Sequence, residues 1–75
     1  MRYDLEVMFE GGAGLSLAGV DEATTNSLTN AYRRVLAGEH VPCAEVQVQQ
    51  EDGAVTTFII DLKRIMTLTT TTTME

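Results

Sequence analysis

Glu39, His40 and Cys43 come nearest in this sequence to the residue types and spacing that metal or nucleophilic chemistry requires. Two residues separate the imidazole from the thiol, a separation compatible with chelation of a soft cation. A closed structural zinc site takes four ligands, and one chain falls short of that unless symmetric copies contribute the rest. A thiol nucleophile needs a base, a group that orients the base, and donors for a developing oxyanion. No motif supplies the last two. His40 is therefore expected as a loop residue and Cys43 as a small buried side chain, with no catalytic residue, no metal and no cofactor.

Asn26, Asn30, Arg33 and Arg34 form a second set, spaced so that a helix would gather them into one stripe. Amide and guanidinium donors replace the Glu, Lys and Ala that commonly stabilise exposed helices. Such a stripe suits a carboxylate, a phosphate or an acidic patch. The competing reading is a solvated face whose two arginines serve the negative end of the helix. Asp61, Lys63 and Arg64 make a third polar group, for which capping of a local turn by Asp61 is the expected role.

The fourth feature is "TLTTTTTME" at residues 67–75, with five consecutive threonines. In an extended strand Thr67, Thr69, Thr71 and Thr73 share one face. Flat repeating ligands such as ice call for several parallel rows, and one strand supplies a single row. A strand is still expected, because the branched Cβ of threonine fits a pleated surface. Residues 69–73 have little to bury within one subunit, so they are expected either to pair with another subunit's edge or to fray.

The elements that position these groups are legible from periodicity. Residues 2–10 alternate strictly, with Tyr3, Leu5, Val7 and Phe9 on one face and Arg2, Asp4, Glu6, Met8 and Glu10 on the other. "GGAG" then reverses the chain, and Leu15 and Leu17 begin a second strand of a hairpin. Asp21 is an N-cap with Glu22 in the first turn, and Leu28, Ala31, Tyr32, Val35 and Leu36 recur at helical spacing up to Gly38. Pro42 ends the linker that follows. Ala44, Val46 and Val48 alternate in a third strand. A three-residue loop of Glu51, Asp52 and Gly53 sets Val48 opposite Thr56, Val46 opposite Phe58 and Ala44 opposite Ile60. A two-residue loop would set Phe58 against Gln47 and break the apolar face. Beyond Ile60 the parity is ambiguous, and "DLKR" is expected to hold a bulge or short turn.

These elements define an α+β fold: a small single domain of ββαββ order, with one helix packed on an antiparallel sheet. The domain spans 1–68, and 69–75 is a Thr-rich strand extension or frayed tail. At 75 residues such a chain buries only about 60% of its unfolded surface. One cysteine excludes an internal disulfide, so self-association is the favoured support. Met8, Ile59 and Ile65 are expected to form an apolar patch on the uncovered side of the sheet. With Thr67, Thr69 and Thr71 they compose the expected oligomer interface.

The formal charge of −6, from eleven acidic and five basic residues, repels phosphate backbones and makes direct nucleic-acid binding an unfavoured function. No apolar run approaches the roughly 20 residues of a membrane helix, and the alternating N-terminus lacks the pattern of a signal peptide. A cytoplasmic protein without a membrane partner is expected. The sequence carries no phosphate loop, dinucleotide fingerprint, zinc-protease helix or serine elbow, and an enzyme is not expected. The leading expectation is a non-enzymatic homo-oligomeric protein-interaction module, a small acidic inhibitor or accessory factor of phage or mobile-element type. Its partners would be itself, as a dimer or larger, and another protein with a basic surface. The alternative is a small anionic-ligand-binding protein with a pocket at the subunit interface, read by Asn26, Asn30, Arg33 and Arg34 or by the Lys63/Arg64 pair.

Overall fold

The computed structural model describes residues 1–74. Strands β1 (Arg2–Phe9) and β2 (Gly14–Val20) form the first hairpin, helix α1 (Glu22–Leu36) follows, and β3 (Cys43–Gln49) and β4 (Val55–Asp61) form the second. A 3-10 turn at Leu62–Arg64 then leads into β5 (Ile65–Thr73). The small α+β class holds. The expected last strand, however, is divided by that turn, which makes the order ββαβββ. The strands also fall into two antiparallel sheets, β2-β1-β5 and β3-β4, where one was expected.

Both sheets and the helix close over one core of Leu5, Val7, Leu17, Val20, Leu28, Val46, Ile60, Leu62 and Ile65. Strand parity explains most of this list. Leu5 and Val7 are buried between less buried neighbours, half-buried Asp4 and Met8 and exposed Glu6, and they face Leu17 and Leu15 across the hairpin. The second hairpin adopts the register expected from its loop, with Val48 opposite Thr56, Val46 opposite Phe58 and Ala44 opposite Ile60. Gly53 makes that loop possible: its φ of 88° lies in the left-handed region, where a side chain is strained.

Helix α1 begins where Asp21 accepts from the Thr24 N–H at 2.6 Å. It ends in a Schellman arrangement, with Gly38 N–H donating to Val35 O and Glu39 N–H to Arg34 O, each at 3.0 Å. Two helix positions depart from the periodic reading. Leu36 is 69% exposed, because it lies at the margin of the apolar stripe in the final turn. Thr25 is buried. Its hydroxyl donates to Asp21 O at 2.9 Å, so the polar atom is satisfied inside the helix.

The threonine run continues the last strand as far as Thr73, as the extension reading expects, and its partner within the chain is β1. Thr69, Thr70, Thr71, Thr72 and Thr73 pair in sequence with Glu6, Leu5, Asp4, Tyr3 and Arg2 of the same chain. The expected division at residue 68 thus falls inside a continuous strand, and Glu75 lies outside the described residues. The reason is length: β1 has eight residues, and a β5 ending at Leu68 would leave much of one side of β1 without a hydrogen-bonding partner.

Candidate functional site

The outer face of the three-stranded sheet is where functional-type side chains gather. β1 contributes Arg2, Asp4, Glu6 and Met8, which face Thr73, Thr71, Thr69 and Thr67 across the β1–β5 ladder. On the other side Glu6 faces Ser16 and Met8 faces Gly14. Met8 Sδ would stand 3.2 Å from a Cβ at position 14, so the small residue lets Met8 lie half-buried against β2. Between Leu17 and Val20 the register shifts by one residue opposite Asp4. This bulge turns the Gly19 N–H onto Asp4 Oδ1 at 3.1 Å.

A shallow cavity of about 280 Å³ lies on this face, lined by Asp4, Glu6, Ser16, Ala18, Thr69 and Thr71 among others. Its chemistry is that of carboxylates and small hydroxyls. Arg2 Nη2 reaches Asp4 Oδ2 at 3.0 Å. This hydrogen bond, joined by that from Gly19, holds the Asp4 carboxyl below the usual carboxylate range. A second, wider cavity of about 630 Å³ separates Ala18 of β2 from Val48, Gln49 and the Gln50–Glu51–Asp52 turn. It too has an acidic rim.

Other expected groups lie away from this sheet face. Asn26, Asn30, Arg33 and Arg34 are all exposed on the helix, and both cavities lie elsewhere. Arg34 Nε points to Glu39 Oε1 at 3.3 Å across the helix end. His40 and Cys43 are also exposed. The expectation of a buried Cys43 is corrected by parity, since Cys43 shares the outer face of β3 with Glu45 and Gln47. Among the described residues no group of three or more His, Cys, Asp or Glu is placed to hold a metal ion. Asp61 caps the 3-10 turn: one oxygen accepts from Lys63 N–H at 3.2 Å, and the other meets Arg64 Nε at 3.3 Å.

The expected apolar patch does not form. Ile65 is a core residue at 7% exposure, Ile59 is 71% exposed on β4, and Met8 is half-buried on β1 of the other sheet. The intervening turn resets the phase of the chain, and this carries Ile65 inward against expectation. Thr67, Thr69 and Thr71 are exposed together on the outer face of β5.

What sequence reading missed is that β5 pairs with β1; that the last strand could stand at an edge was expected. β1 occupies one side of the strand and, among the described residues, no strand occupies the other. Its nine residues contain no charge and no proline, two of the devices that commonly blunt exposed edges, and the strand's register shift against β1 is confined to the Ile65–Thr67 end. A signal was present in the uninterrupted threonines, but which strand they would join was not. No helix among the described residues is long and apolar enough to cross a membrane. Comparison with protein-family models, curated proteins and solved structures finds no match to this chain.

Proposed function

We propose that this chain is a non-enzymatic protein-interaction module that associates with itself and presents an acidic surface to a basic partner. One observation carries the self-association: a nine-residue uncharged strand has a partner on one side only. Such an edge offers a row of backbone donors and acceptors to another chain. The acidic half of the reading rests on the net charge of −6 and on the carboxylates that line both cavities. Complementary charge of this kind speeds encounter and selects a partner more than it adds affinity. An inhibitor or accessory factor that competes for a basic site would use it so.

The anionic-ligand alternative has less support. Its arginines stand on a convex exposed face, and Arg34 is already engaged by Glu39.

Light scattering across a concentration series tests the first half, and the expected mass is above the 8.2 kDa of one chain. Calorimetric titration with an oligolysine peptide tests the second. Binding is expected to weaken with salt and with Glu6→Lys or Glu51→Lys, and to survive replacement of both Arg33 and Arg34 by Ala. One-chain mass at every concentration, or indifference to the Glu variants, would sink the corresponding half. Inorganic phosphate binding that vanishes with the arginines would favour the alternative.

A further inference from the structure

We infer that the free edge of β5 pairs antiparallel with β5 of a second copy, about a two-fold axis beside Thr70. The pairing rests on the self-associating reading above and specifies its interface. Three observations define it.

The first is which part of the edge is open. The Tyr32 hydroxyl donates to the carbonyl oxygens of Ile65 and Met66 at 3.2 and 3.4 Å. The start of the strand is thereby engaged by the helix, and residues 67–73 are left as the open stretch. In a two-fold antiparallel pair each residue i faces residue 2k − i of the other copy, where k is the residue beside the axis. Full overlap of 67–73 requires k = 70. Leu68 then faces Thr72 of the second copy, and Thr69 faces its Thr71. A slip in either direction shortens the ladder.

The second is face matching. Residues of equal parity meet, so Leu68, Thr70 and Thr72 stay on the helix side in both copies, and Thr67, Thr69, Thr71 and Thr73 stay on the outer side. A six-stranded sheet results, in the order β2-β1-β5-β5-β1-β2. Its threonine rows lie side by side between two rows of Asp4 and Glu6.

The third is charge. Two chains of −6 each repel, yet β5 carries no charged residue. Asp4 and Glu6 stand one strand back on β1, so the carboxylate rows of the two copies are three strand spacings, about 14 Å, apart. That exceeds the Debye length of about 8 Å at physiological salt, and the repulsion is largely screened. The strand contact is small beside the roughly 20–30 residues a side of a standard interface. The dimer should therefore dissociate on dilution.

Lysine substitution with light scattering and circular dichroism tests this register. Thr70 is exposed, so Thr70→Lys and Thr70→Glu are expected to keep the monomer fold. Each sets two like charges face to face at the axis and should reduce the mass to one chain. Mixing the two variants in equal amounts should restore a two-chain mass. Thr67→Lys is the positional control, because its copies stand about 20 Å apart in this register, and it should remain dimeric at physiological salt. Wild-type mass retained by Thr70→Lys overturns the inference. So does failure of the mixture to associate, or a wild-type mass that grows beyond two copies, as head-to-tail pairing of β5 with β4 would give. Oligolysine binding is read separately, so the wider reading stands or falls independently of this register.

Discussion

The phenolic oxygen of Tyr32 lies 3.2 Å from the carbonyl oxygen of Ile65, bridging the C-terminal half of α1 to the first residue of β5. This hydrogen bond ties the helix to the point where the chain leaves the 3-10 turn and sets the direction of the last strand. Helix periodicity placed Tyr32 on the apolar side, but its polar atom found a partner only through the tertiary fold.

Replacing Tyr32 by Phe keeps the ring and removes the donor. A loss of about 0.5–1.5 kcal/mol is expected, the ordinary net contribution of one such bond, read as a lower urea midpoint with unchanged slope. In the self-association assay the freed carbonyls lengthen the open edge. The mass is therefore expected to stay constant or rise, and a fall would count against the assigned boundary of the open stretch.

The 3-10 turn is a core element as well as a connector, because Leu62 within it is fully buried. Leu62→Ala should cost about 2–5 kcal/mol, in line with other large-to-small core changes. Ile59→Ala, three residues away on an exposed site, should change stability by no more than about 0.5 kcal/mol. Chemical denaturation of both variants gives the contrast, and equal losses would refute the placement of Leu62.

Gly53 holds a φ of 88° between β3 and β4. Gly53→Ala would force a side chain into the left-handed region at a cost of about 1–2 kcal/mol. Open space surrounds the site, so the loss is conformational and no clash contributes. Gly53→Asn should recover part of it, since asparagine tolerates that conformation better than alanine.

Acid sensitivity follows from two carboxyls. Asp21 lies below its ordinary 3.8 because it accepts from the Thr24 backbone and hydroxyl. Asp4 lies below the same value through Arg2 and the Gly19 N–H. When the folded value is the lower one, the unfolded chain takes up the proton first as pH falls. The stabilisation is thus complete above 3.8 and is lost below it, as pH passes through the folded values. Asp21→Asn keeps a capping oxygen that does not titrate. Its acid-unfolding limb should be shallower than that of the wild type, and superimposable limbs would remove Asp21 from the account.

Both hairpins, the helix with its Asp21 cap and its end at Gly38, and the β3–β4 register were legible in the amino-acid sequence. They rest on local rules: alternation fixes a strand's faces, three-to-four spacing fixes a helix stripe, and the position of Gly53 fixes the loop and with it every pair from Ala44–Ile60 to Val48–Thr56. Even the irregularity at "DLKR" announced itself as a break in parity.

The candidate site was legible only in its ingredients. Asp4, Glu6 and the threonines are far apart in the chain, and nothing local says that the run at 69–73 joins β1. That choice belongs to the whole fold, because an unpaired side of β1 leaves backbone groups unsatisfied and β5 alone has the length to meet them. The inward turn of Ile65 and the separation of Met8 from Ile59 have the same origin. Local sequence determined which segments become strands and which face of each is apolar. Tertiary structure decided which strands meet, and by that which strands keep a partner on one side only.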